Sequence, residues 1–205
     1  VHQSRTISKN NILKAKQFEN KFLSMQIEGT KLNDCVLITP KSKNDARGYF
    51  METYRESWMD LLTDFSGNFV QDNQSLSCYG TIRGLHFQEG EHAQAKLVRV
   101  LSGKILDVVV DLRPGSSTYG KHLSIELSDE NNHQLWVPRG LAHGFSVLSE
   151  TAVVCYKCDA YYNKDAEGGI HPLDADLTID WRIPKSEQLL SEKDKALPKF
   201  KMGIR

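Results

Sequence analysis

Neither sign of charge dominates these 205 residues: 26 Lys and Arg stand against 26 Asp and Glu, and the pI is near 7.2. A chain that coats nucleic acid or an anionic membrane needs a basic surplus, so any polyanion here has to be met by a local cluster of cations. Long hydrophobic runs are missing too. No apolar stretch approaches the ~20 residues of a membrane-spanning helix. The N-terminal stretch is polar and lacks the apolar segment of a signal peptide. Cysteine is scarce: Cys35, Cys78, Cys155 and Cys158 are too few and too scattered for a disulfide scaffold. Repeats and low-complexity tracts are also lacking. The expectation is a reduced, cytoplasmic protein with neither nucleic acid nor membrane as partner.

What is present is an ordinary globular composition, 40% hydrophobic and 25% charged, in a chain long enough to bury a core. Residues 1–24 stand apart, rich in Lys and Asn. They read as an extension before a domain at 25–205, with Ile12, Leu13, Lys16, Phe18 and Phe22 forming at most a weak helix. From Met25 onward, short strand-like runs recur about every ten residues, broken by Gly, Pro, Asn and Ser. They include VLITP (36–40), YFMETY (49–54), KILDVVVDLR (104–113) and TAVVCYKCDAYY (151–162), and Asn44 to Gly48 reads as a turn. This pattern predicts a mainly β sandwich or jelly roll with a few short helices. The convincing internal helix is Ser57–Phe65, with Ser57 as cap and Trp58, Leu61, Leu62 and Phe65 on one face. A short charged helix is expected near Ser191–Ala196.

Strand parity narrows the chemistry. Residues two apart share a face, so Val154, Tyr156, Cys158, Ala160 and Tyr162 line one wall if the strand stays regular. The same rule sends Cys155 and Cys158 to opposite faces, which argues against a redox or zinc pair. Among seven histidines, His86 lies in sequence between the cations Arg83 and Lys96. Nearby cations favour neutral imidazole, the form a general base needs. Pro138, Gly140 and His143 follow the P-x-G-x-x-H pattern of the second cupin motif. The first cupin motif supplies His-x-His to a metal, whereas this chain reads His86-Phe87-Gln88. A metal-dependent cupin is therefore disfavoured, and neither metal nor cofactor is expected.

Taken in order, Gln71-Asp72-Asn73, RGLHFQ (83–88), QAKLVRV (94–100), DVVVDLR (107–113), QLWVP (134–138), AHGF (142–145), YKCDAYY (156–162) and LSEKD (190–194) resemble the dTDP-4-dehydrorhamnose 3,5-epimerases. The resemblance runs from about Val36 to Pro198. It implies a metal-free cupin-type jelly roll, a homodimer, and a dTDP-4-keto-6-deoxy sugar as substrate. It further implies His86 as base with Asp194 orienting it, Tyr156 as acid, Lys96 as oxyanion stabiliser, and His143 with Asp107 completing the pocket. Arg47 and Arg83 match diphosphate contacts, and Tyr162 matches an aromatic that stacks on thymine. Glu52, Gln71, Asp72, Asn73, Glu167 and Lys193 match further positions near substrate. The family's partner subunits complete each pocket, which draws attention to segment 25–40. A C3-only epimerase, an epimerase of another 4-keto nucleotide sugar and a non-catalytic sugar-binding jelly roll are the competing expectations.

Overall fold

The computed structural model describes residues 24–62, 65 and 67–200. The extension at 1–24 and its weak helix therefore fall outside the described residues except for Ser24. The strands are β1 (Met25–Gly29), β2 (Val36–Pro40), β3 (Ser42–Asp45), β4 (Gly48–Met51), β5 (Gln71–Cys78), β6 (Ile82–Gln88) and β7 (Lys96–Ser102). They continue with β8 (Lys104–Asp111), β9 (His122–Ser128), β10 (Gln134–Val137), β11 (Leu141–Val147), β12 (Thr151–Cys158) and β13 (Glu167–Gly169). Two sheets form, in the orders β1-β2-β10-β7-β12-β5 and β13-β6-β11-β8-β9, and β3 with β4 makes a separate hairpin. Every named strand pair is antiparallel. From β5 to β13 the chain passes back and forth between the sheets, which gives the jelly roll that the spacing of strands and turns predicts.

Alternation explains where the core sits. Val98, Val100, Leu135, Val137, Ala152 and Val154 of the first sheet face Ile105, Val109, Leu123, Leu127, Phe145 and Val147 of the second. The second sheet is covered on its outer side as well. There Leu106, Val108, Val110 and Ala142 pack against Ile170, Leu177, Trp181 and Phe200 from the C-terminal segment. That double covering is why β8 reads as a nearly unbroken apolar run. It also makes Asp107, on the inner face of β8, conspicuous.

The predicted helix at Ser57–Phe65 is corrected. The helix α1 spans only Glu56–Met59, and Arg55 rather than Ser57 holds the N-cap position, without a side-chain cap. Adjacent Trp58 and Met59 are the buried pair, while Leu61 is exposed. The apolar residues here are thus buried by a tight turn against Trp136, Leu97 and Ile38, not by a helical stripe. Without a cap, one turn does not propagate. The second helix, α2 (Glu192–Lys195), lies where expected, and the Ser191 hydroxyl caps it by accepting from the Asp194 N–H at 3.1 Å.

A buried ionic clamp ties the end of β8 to the loop between β1 and β2. Asp111 accepts from Arg113 Nη2 (2.9 Å), Thr118 Oγ1 (2.6 Å) and Ser116 Oγ (2.7 Å), while Arg113 Nη1 reaches Asp34 at 3.0 Å. Burial works against the Asp111 anion, but these donors outweigh it and hold its carboxyl down at about 2. A carboxyl depressed in the folded state adds stability above its unfolded value and loses it as pH falls toward the folded one. The span from 3.8 to about 2 corresponds to about 2 kcal/mol. Asp111→Asn is expected to lose about that much at pH 7, and its disadvantage should shrink between pH 4 and pH 2 in paired urea titrations. An equal deficit at both ends of that range would remove the clamp as the cause.

Candidate active site

The site is built where the two inner faces turn polar. On β11, His143 pairs with His86 and Phe145 with Arg83, so β6 spends three steps where β11 spends two. This bulge turns Arg83 and His86 to the same face, although regular parity would separate them. Two glycines make it sterically possible. A Cβ on Gly84 would meet Gly144 Cα at 2.6 Å, and one on Gly144 would meet the Arg83 carbonyl at 2.5 Å. Leu85 is left on the outer face, packed in the second core.

His86 Nε2 lies 2.6 Å from Asp194 Oδ1. Nε2–H therefore donates to the carboxylate and Nδ1 keeps its lone pair. Burial opposes the charge on Asp194, but the bonds from His86, Ser191 and the Gly84 N–H prevail and hold its carboxyl below the ordinary value. The docking of α2 follows from Gly169, the β13 partner of His86: a Cβ there would strike Leu197, three residues past Asp194. A second imidazole–carboxylate pair sits beside the first. His143 Nε2 donates to Asp107 Oδ1 at 2.7 Å, and Asp107 Oδ2 is buried with no hydrogen-bond partner among the described residues.

The facing wall comes from β12, β7 and β5. Tyr156 pairs with Asn73 on one side and Val98 on the other, which places it on the inner face of the first sheet. Burial pushes its phenol above the ordinary value, with Arg83 acting in the opposite direction, so the O–H persists at neutral pH. Lys96 Nζ stands 5.9 Å from the centre of the Tyr156 ring. Burial lowers the Lys96 ammonium, against the pull of Asp107 and Glu167. Gln71 and Asn73 share this face and are tied to each other: the Tyr162 N–H donates to Gln71 Oε1, and Gln71 Nε2 to Asn73 Oδ1.

At the rim, Tyr162 Oη donates to Glu167 at 2.9 Å, and Lys193 Nζ binds the same carboxylate at 2.6 Å. Tyr162 reaches that position from a loop, because β12 ends at Cys158 and the regular wall from 154 to 162 stops there. Three expected substrate residues lie elsewhere in the single chain. Asp72 is on the opposite face of β5, paired with Lys157 at 2.7 Å. Arg47 sits at the tip of the β3–β4 hairpin, 90% exposed and bound to Asp45. Glu52 is held by Arg55 and Ser24. Ser77 joins the inner face beside Arg83 and was not singled out in the sequence. Its signal was available, because Gln71, Asn73, Ser75 and Ser77 alternate as an all-polar face.

Among the described residues, no three His, Cys, Asp or Glu side chains converge in a way that could hold a metal ion. The two histidines of the site are committed through Nε2 to carboxylates instead.

The family model described as dTDP-4-dehydrorhamnose 3,5-epimerase matches residues 29–202. The chain belongs to the dTDP-4-dehydrorhamnose 3,5-epimerase family. A Methanothermobacter thermautotrophicus dTDP-4-dehydrorhamnose 3,5-epimerase is 46% identical over 167 residues, 81% of this chain and 89% of that protein. The crystal structure of the Elizabethkingia anophelis NUHP1 epimerase superposes with a TM-score of 0.83 at 54% identity, covering 87% of this chain and 97% of the other. The Bacillus anthracis epimerase, crystallised with TDP and PPi bound, gives 0.81 at 41% identity over 86% and 99% of the two chains. The family is one of isomerases, and its solved members share this antiparallel β architecture.

Proposed function

We propose that the protein converts dTDP-4-dehydro-6-deoxy-D-glucose to dTDP-4-dehydro-L-rhamnose by inverting C3 and C5, without a cofactor. The observation that carries the reading is the opposition of the His86–Asp194 pair on one sheet to the Tyr156 phenol on the other, with Lys96 beside the phenol. A ketone at C4 acidifies the hydrogens on both neighbouring carbons. His86 Nδ1 takes such a hydrogen as a proton, and Asp194 stabilises the imidazolium that results. The Lys96 ammonium meets the negative charge developing on the C4 oxygen. Tyr156 then returns a proton from the opposite side, which inverts the carbon. Hydrogen leaves and returns as a proton, so no net oxidation accompanies the step.

His143 and Asp107 complete the floor of the pocket. Arg83 and the Tyr162–Glu167–Lys193 rim receive the nucleotide end, Arg83 on the diphosphate and Tyr162 against thymine. Gln71 and Asn73 border the sugar. The TDP bound in the Bacillus anthracis relative supports a nucleoside diphosphate as one end of the ligand. Arg47 and Glu52, in and next to the β3–β4 hairpin, and Asp72, on the outer face of β5, belong to a homodimer in this reading. The protruding hairpin, with Tyr49 and Phe50 exposed by 60% and 70%, then reaches the partner's pocket. The enzyme's setting is the cytoplasm; among the described residues no helix is long and apolar enough to cross a membrane.

The test is a proton NMR assay in D2O with the 4-keto substrate and no added metal. Deuterium is expected at both C3 and C5, together with the L-rhamno product. Deuterium at C3 alone assigns a 3-epimerase, and none at either carbon removes the catalytic reading in favour of a binding protein.

A further inference from the structure

Arg83 is anchored at one edge of its guanidinium. Its Nε donates to Ser77 Oγ at 2.9 Å, across the gap between the sheets. Ser77 lies on the inner face of β5 and is 6% exposed. A hydroxyl at such a position is costly unless it is bonded, and the bond it makes is to Arg83. Among the described residues, no carboxylate pairs with Arg83. We propose that Ser77 is a positioning residue, fixing the plane of the Arg83 guanidinium so that its two terminal nitrogens are presented as a ready fork to a diphosphate. The inference rests on the dTDP-sugar reading above.

The geometry supports it in three ways. The guanidinium is planar, so holding Nε sets the direction of both terminal NH2 groups. The bulge at Gly84 has already turned Arg83 inward, onto the face shared with His86. Ser77 contributes its anchor from the opposite sheet, so the fork is held from two sides of the site. A long side chain ordered before the ligand arrives loses less freedom on binding.

The experiment compares Ser77→Ala with the parent by calorimetric titration of dTDP and of thymidine. Ser77→Ala is expected to bind dTDP about three- to tenfold more weakly and thymidine equally well, to raise KM with kcat retained, and to be rescued by Ser77→Thr. In an Arg83→Ala background, the same change should have no further effect on dTDP. Unchanged dTDP affinity, equal losses for dTDP and thymidine, or a full loss persisting without Arg83 would each overturn the assignment. Should Ser77→Ala not fold, Ser77→Cys keeps the bulk with a poorer acceptor and carries the same comparison. A parent protein that fails to bind dTDP removes the substrate reading itself, and this inference with it.

Discussion

Replacing His86 with alanine is expected to lower kcat about 10²–10⁴-fold, the range for loss of a general base, while dTDP still binds. His143 is the neighbouring imidazole and is paired with Asp107 in the same way, but its side chain is only 8% exposed against 29% for His86, so His86 is the ring open to the pocket. Asp194→Asn attacks the same function from behind. The carboxylate that receives Nε2–H is replaced by a neutral amide, so the ring loses both its orientation and its stabilised cation. Because the two side chains act as one unit, the double variant should be hardly slower than His86→Ala alone. Deuterium wash-in at C3 and C5 should fall with turnover, since the step removed is the breaking of the C–H bond. Turnover of His86→Ala within about tenfold of the parent, outside that range, would place the base elsewhere.

How much of this was legible in the sequence depends on which contacts are local. Strand positions followed from alternation and turn residues, and β2 falls where VLITP predicts it. The inner face of β12 carrying Val154, Tyr156 and Cys158 followed from parity for as long as the strand lasted. The shared face of Arg83 and His86 did not, because parity fails at a bulge, and the bulge depends on Gly84 meeting Gly144 some sixty residues away in the chain. The His86–Asp194 bond spans 108 residues. No periodicity encodes it, and only the family resemblance joined the two residues beforehand. The helix at Ser57 failed for a related reason. The apolar residues that looked like a stripe were answering to Trp136 and Leu97 on the sheet below, a tertiary demand that overrides local pattern.

Tyr156→Phe separates the two halves of the proposed reaction. The substitution removes one oxygen and keeps the ring that packs beside Val98 and under Lys96. The fold and dTDP binding should therefore survive. His86 still takes the proton, and Lys96 still meets the enolate oxygen. What is missing is a donor on the far face, so the proton comes back from the imidazole to the side it left. In D2O the variant should place deuterium in unconverted substrate with its configuration retained, while formation of the epimer falls about 10²–10³-fold. The same logic fixes the alkaline behaviour. Burial holds the parent phenol protonated beyond its ordinary value of 10.0, so loss of rate through ionisation of the acid should appear only above that pH, and should vanish in the phenylalanine variant. Exchange with retention distinguishes a missing acid from a damaged base, which abolishes exchange altogether. A variant that forms the epimer at the parental rate would mean that the returning proton comes from some other group.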